Sequence, residues 1–353
     1  LDISVNSATA LNVQLENPLS VSDWNRRLTG NLHGSFFHTK EWARVLNLTY
    51  GFVPLYFTDA QSNALLPLME IDSWLTGRRG VSLPFTDQCE PLGDSKAVTA
   101  MFKEALKMGQ SRQWKYLESH GSGSAIGLPG SPRPSLEFFA HELPLNASPE
   151  KLFEGFDTSV RRAIRKAESA GLTAEISTSP KAIREFYSLH CQTRREHGVP
   201  PQPFRFFRNI QKEVLAKNLG AVISAKEKDR AVASAVFFRF GDEAIYKFGA
   251  SDRTCLHLRG NNLVMSEAIK WCASQGSKVL NFGRTSLNNE GLRRFKLGWG
   301  AKESRIRYFR YDLRTNAYVQ EQDRSSGWHS RFFRNMPLFM SRLCGMVLYR
   351  HMA

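Results

Sequence analysis

The chain is poor in several features that would narrow its chemistry at once. It has only 5 cysteines in 353 residues: Cys89, Cys191, Cys255, Cys272 and Cys344. They are odd in number, scattered, and never in a C-x-x-C pair. That argues against a disulfide framework and against a zinc site. Cys272 falls on an apolar helix face and reads as packing rather than as a nucleophile. No stretch of about 18 uninterrupted apolar residues occurs, so no transmembrane helix is expected. The opening residues, Leu1 to Asn17, lack the basic start and apolar core of a signal peptide. They also lack an initiator Met, so a few residues are expected upstream. Walker A, G-x-G-x-x-G and G-x-S-x-G motifs are all missing. Their absence disfavours nucleotide hydrolysis, dinucleotide binding and a serine triad. No helix-turn-helix, zinc-finger or RNA-recognition signature is readable. The compartment that fits these absences is the cytosol.

Acid is outnumbered by base, and only in the second half. The chain carries 48 Lys+Arg against 33 Asp+Glu, a net charge of +15. Residues 1–140 hold 12 basic and 13 acidic side chains, whereas residues 141–353 hold 36 and 20. All the excess therefore lies after residue 140. It implies an anionic partner there (nucleic acid, an anionic membrane or a phosphate-bearing substrate) or else a merely soluble basic surface. No acid follows Asp323. The tail instead interleaves Arg324, Arg331, Arg334, Arg342 and Arg350 with aromatic and aliphatic residues, broken by Pro337. Such a basic amphipathic segment lies in a membrane interface and is helped by anionic lipid. Its alternative is a C-terminal helix pair packed on the second half.

What is present reads as globular, at 42% hydrophobic and 23% charged. The length favours two domains. In the first half, a helix capped by Ser35 or Thr39 precedes two strands, Val53 to Thr58 and Ala64 to Ile71. Gly77-Arg-Arg-Gly80 reads as a basic turn before a strand from Val81 to Phe85. A helix from Ser95 to Met108 and a strand near Trp114 to Glu118 come next. The Gly/Ser/Pro-rich stretch from Gly121 to Pro134 is the clearest breaker and places a domain boundary before Phe138. Beyond it, one helix is predicted from Ser148 or Pro149 to Ala170, a second from Pro180 to His197, and a third to Asn218. Strands then span Ala221 to Lys226, Val232 to Phe240 and Ala244 to Ala250. An apolar-periodic helix, with Asn261 as its N-cap, leads to the strand Lys278 to Phe282. The same order of elements twice points to a mixed α/β sheet in each half.

Three stretches carry chemistry. Asn281 to Gly300 runs from a strand end through a glycine-bounded polar loop into a short helix with Arg293, Arg294 and Lys296. Those features suit a phosphorylated or carboxylated ligand, and equally a basic surface loop. Ser159 to Glu168 stacks Arg161, Arg162, Arg165 and Lys166 within two helical turns. That density asks for an anion or for solvent. Thr193-Arg-Arg-Glu-His-Gly198 is a polar helix end where His197 suits a base or a dipole partner.

Taken together these residues resemble the Fem-type branch of the GNAT superfamily, the aminoacyl- and acyltransferases that build peptidoglycan cross-bridges and their acetyltransferase-like relatives. The resemblance spans about residues 30 to 312. It rests on Phe37-His-Thr-Lys-Glu-Trp42, Ser82 to Asp87, Val160 to Ala167, Thr193 to Pro200, Tyr246 to Ala250, Arg259 to Ala268, and Asn281 to Arg284 followed by Gly291 to Lys296. It implies two tandem GNAT-like domains, residues 1–137 and a catalytic 138–320, with a basic amphipathic helical tail over 321–353. It implies an N-acyltransferase in which an amine attacks an acyl-CoA or aminoacyl-tRNA donor, with no metal. Lys296, Arg284 and Tyr246 would be catalytic. Arg161, Arg165, Lys166, Arg194, His197, Asn261, Asn262, Asn289 and Arg294 would bind phosphate or substrate. The acceptor implied is a peptidoglycan- or exopolysaccharide-related envelope precursor, met at the cytoplasmic face of the inner membrane. Two features depart from the family pattern. No long coiled-coil arm is evident, and Arg253 to Gly260 is only a loose relative of the coenzyme-A loop. The donor therefore stays open, and so does a non-catalytic, polyanion-binding role on the same fold.

Overall fold

The structure, a computed structural model, describes residues 12–29, 34–59, 61–121, 132–320 and 328–352. Most of the Gly/Ser/Pro stretch, the first eleven residues, and the start of the tail lie outside the described residues.

Fourteen strands form one mixed sheet whose order reads the same from both ends toward a seam. On one side, the antiparallel hairpin Val53–Asp59 and Ala64–Ile71 leads to Arg79–Val81. That strand lies parallel to Tyr116–Gly121, and the helix Ser95–Ser111 bridges the two. On the other side, Gly220–Glu227 and Arg230–Phe240 lead to Glu243–Ser251. That strand lies parallel to Val279–Asn281, bridged by the helix Gly260–Ser274. At the seam Leu136–Pro144 and Lys302–Asp312 pair antiparallel, from Lys302 opposite Glu142 to Tyr308 opposite Leu136. Lys302–Asp312 then pairs outward with Tyr116–Gly121, so the last long strand of the second half completes the sheet of the first. The duplication expected from element order is thus a duplication of strand order.

Several local expectations are corrected. The predicted helix 148–170 is two helices, Pro149–Gly155 and Thr158–Ser169. The break falls where Phe156 turns inward onto Trp299, with ring centroids 4.9 Å apart, and where Asp157 N–H donates to Gly298 O. The third helix stops at Glu213, and a single 3-10 turn covers Leu215–Lys217. Asn261 is not a cap. Arg259 takes that place at φ 61°, and the helix starts at Gly260, where an added Cβ would press on Ala233 at 3.0 Å. The strand expected over residues 81–85 is instead Arg79–Val81. It ends because Leu83 and Phe85 sit in the left-handed region, at φ 51° and 60°. Bulky residues rarely adopt that conformation, and where they do they commonly shape a functional turn.

The two halves share a core. Phe36 stacks on Phe238 at 4.4 Å between centroids, and Trp42 packs against both Phe206 and Phe238. A second core fills the space beneath the Thr158–Ser169 and Gly260–Ser274 helices, around Val160, Ile164, Leu263, Ala268 and Trp299. Cys272 is buried in that core, as its helix position predicts.

Candidate functional site

The strand Val279–Asn281 ends at the seam, and the Asn281 side chain shapes the loop beyond it. Its amide nitrogen donates to Glu243 Oε1 at 3.1 Å, and its Oδ1 accepts from Gly283 N–H at 2.8 Å. Gly283 sits at φ 68°, where an added Cβ would stand 3.0 Å from Asp87 Oδ2 and 3.5 Å from the Tyr246 carbonyl. Glycine is needed there both for the dihedral and for the approach of Asp87.

Lys296 projects from the helix Glu290–Leu297, whose first turn Asn289 caps by accepting from Leu292 N–H. Its Nζ donates to Gly283 O at 2.8 Å and to Arg284 O at 3.1 Å. At 1% exposure the ammonium is almost wholly desolvated. Burial, with the neighbouring Lys247 cation, lowers its pKa to about 7 against the restoring pull of Asp87. Lys247 Nζ donates to Asp87 Oδ2 at 2.9 Å, and Arg284 Nε stands 3.8 Å from Oδ1. Burial opposes the charge on Asp87, but Lys247, Arg284 and Lys296 outweigh it and hold the carboxyl below its ordinary value. Arg284 also donates to the Tyr308 hydroxyl at 2.8 Å and lies over Phe138, while Tyr308 donates to Asp87 O. Three cations thus surround one carboxylate, in a cluster drawn from both halves.

The cluster borders a cavity of about 530 Å³ whose lining includes Asp87, Glu90, Glu142, Glu243, Asn281 and His38. Its sign is opposite to the chain's net charge. Burial raises Glu243 to about 7, with Asn281 opposing and Glu142 adding to the rise. Glu142 is pushed up by burial and by Glu90. His38 accepts from Ser35 N–H on Nδ1 and donates to Glu90 O from Nε2, and burial lowers its pKa. A second cavity of about 240 Å³ sits at the start of the Gly260–Ser274 helix and includes Arg259, Asn261, Asn262 and Phe295.

The sequence-derived candidates divide accordingly. Lys296, Arg284 and the Tyr246 backbone meet at Gly283. The Tyr246 ring packs on Phe237, and burial raises its hydroxyl to about 12. Asn261 and Asn262 line the second cavity, and Asn289 caps the Lys296 helix. Arg165, Lys166 and Arg294 are exposed. Arg161 donates to Thr158 one turn earlier. Arg194 lies apart from both cavities and donates to the Tyr349 hydroxyl and Pro200 O. His197 ends its helix beside Arg194, and burial lowers its pKa. Sequence reasoning assigned no role to Asp87, Lys247, Glu243, Glu142 or Glu90. Asp87 and Lys247 stood inside motifs already singled out, but nothing local ties residues 160 positions apart. Among the described residues no group of His, Cys, Asp or Glu is placed to hold a metal ion, and no helix is long and apolar enough to cross a membrane.

Residues 155–310 match the family model described as acetyltransferase (GNAT) domain. No curated protein sequence matches the chain significantly. Among solved structures, FemX is similar at 12% identity and TM-score 0.65, over 84% of this chain and 96% of that one. The C-terminal domain assigned as part of a lysylphosphatidylglycerol synthetase from Agrobacterium fabrum is similar at 12% identity and TM-score 0.55, over 91% and 96%. A tandem GNAT protein from the clavulanic acid biosynthesis pathway is similar at 9% identity and TM-score 0.51, over 86% and 99%. At these identities the likeness establishes the fold, a tandem GNAT-like architecture in a large mixed α/β sheet.

Proposed function

We propose that this chain is an N-acyltransferase that moves an acyl or aminoacyl group from a thioester or ester donor onto an amine. The observation that carries the reading is the Lys296 ammonium. It is buried at the end of the Val279–Asn281 strand and fixed on two backbone carbonyls, beside a cavity walled by Glu90, Glu142 and Glu243. The GNAT match over residues 155–310 supports the reaction class.

The division of charge suits the two substrates. Carboxylates around the larger cavity attract a cationic amine and repel anions. The smaller cavity, with Arg259 at a helix start, suits the phosphates of acyl-CoA or of aminoacyl-tRNA. Glu243, titrating near neutrality, takes the proton from the ammonium of the acceptor. The free amine nitrogen attacks the acyl carbonyl carbon, and the C–N bond forms as the C–S or C–O bond breaks. The nitrogen then sheds a second proton, which the leaving thiolate or alkoxide takes, while Glu243 passes the first to solvent, so an ammonium acceptor releases one proton per turnover. Lys296 keeps one N–H beyond its two carbonyl bonds, a donor for the developing oxyanion. The envelope-precursor acceptor at the cytoplasmic membrane face rests on the Fem-type resemblance.

The test is turnover of the full chain with acetyl-CoA, longer acyl-CoAs and bulk aminoacyl-tRNA against a panel of amines. Lys296→Ala is expected to lower kcat about a hundredfold or more while donor binding persists. Absence of turnover with every pair, alongside saturable polyanion binding, would instead favour the non-catalytic role.

A further inference from the structure

The helix Leu338–Leu348 is packed inside out. It turns Ser341 and Gly345 toward the protein, where a Cβ on Gly345 would overlap the Pro201 carbonyl. Phe339, Leu343, Met346 and Val347 face away, at spacings of four, three and one, as one exposed stripe. A helix that served as core would do the reverse. Its end is nonetheless firmly held. Tyr349 joins the core shared by both halves. The His351 carbonyl accepts from the buried Arg79 and from Thr76, and its ring bonds Ser73 at 2.8 Å.

That anchorage brings in a second segment. The His351 ring meets Trp74 edge-on at 5.3 Å, so the loop carrying Trp74 and Leu75 stands at the carboxyl end of the stripe. Trp74 is 82% exposed and Leu75 53%. Met352, next to His351 in sequence, is also exposed. Of the fourteen large apolar side chains exposed among the described residues, nine lie on this tail or this loop. Arg334, Arg342 and Arg350 are exposed along the same segment, which contains no acid.

We propose that Trp74 and Leu75, together with the outer stripe of the Leu338–Leu348 helix, form one composite docking surface for an anionic lipid bilayer. Charge complementarity selects that occupant. A stripe of Phe, Leu, Met and Val with an indole at its end enters the headgroup boundary, and the arginines meet anionic headgroups. The tail is thus both packed and lipid-facing. Its removal would strip Tyr349 and His351 from the core, so point changes on the outer face are the proper probe.

The experiment is co-sedimentation of the full chain with vesicles of mixed phosphatidylglycerol and phosphatidylcholine, and with pure phosphatidylcholine. Binding is expected to the mixed vesicles and to weaken with salt. The double substitution Trp74→Ser, Leu75→Ser is expected to weaken it about tenfold, and so is Phe339→Ser, Leu343→Ser. Both variants should keep the wild-type melting curve, because the altered side chains are exposed. Equal binding by the Trp74/Leu75 variant and the wild type would overturn the composite surface. Failure of the wild type to bind mixed vesicles would overturn the lipid assignment. A dimer in sedimentation that the same substitutions abolish, without vesicle binding, would assign the face to a second copy and also overturn it. None of these readouts depends on turnover.

Discussion

Glu243 and Lys296 are two residues of opposite charge type brought to the same titration range. Burial lifts the carboxyl and lowers the ammonium, each to about 7. In the proposed reaction the base must be ionised and the lysine protonated. The pH profile of kcat/KM is therefore expected to be a narrow bell near neutrality, and Glu243→Gln should remove its acidic limb. Stability should vary with pH as well. Native Glu243 keeps its proton up to about 7, whereas an unfolded glutamate releases it near 4.5. Its stabilising contribution is complete below 4.5 and is lost as pH rises through the folded value. Thermal melts should thus show Glu243→Gln gaining more on the wild type at about pH 8 than at about pH 5. Gly283→Ala should cost about 1–2 kcal/mol in the left-handed region and displace Asp87 from Lys247. Urea unfolding would read the first effect, and loss of turnover the second.

The elements of the site are short and held by their ends. The strand Val279–Asn281 contributes only three residues, and the helix Glu290–Leu297 only eight. Neither would persist alone, since helices of that length are marginal in water. Asn289 fixes the helix start, and Phe156 with Trp299 closes its far side. Asn289→Ala should cost about 1 kcal/mol as a lost cap. It should also lower turnover by loosening Lys296 on its two carbonyls. A stability loss without a change in rate would separate the cap from the site. The break at Phe156 has the same purpose physically. It lets one aromatic ring leave the helical path and support the Lys296 helix from below.

At the scale of the whole molecule the two halves share one sheet and one core, and they are expected to unfold together. The strand Lys302–Asp312 is shared across the seam, and Phe36, Trp42, Phe206 and Phe238 form a common aromatic core. Trp42→Ala should destabilise by about 3–5 kcal/mol. Calorimetry should show one transition shifted as a unit. Two separated transitions would mean that the halves fold independently. The candidate site depends on this union, because Asp87 and Glu90 come from the first half while Lys247, Glu243 and Lys296 come from the second.

The sequence by itself determined most of the elements, the repeated α/β order, and the placing of Lys296 and Arg284 after a strand end. Those come from periodicity, capping residues and glycines, which act over a few residues. It also showed the inverted chemistry of the tail, basic and apolar without acid. Only the tertiary structure decided which charges meet. Asp87 reaches Lys247 because left-handed Leu83 and Phe85 turn the chain at the seam, and no local pattern reports a contact across 160 positions. It likewise decided that the acidic wall of the cavity lies inside a basic chain, and that the tail helix buries its small residues while Trp74 extends its outer face. Burial and long-range contact set those outcomes, and neither is encoded at the spacing of a helix or a strand.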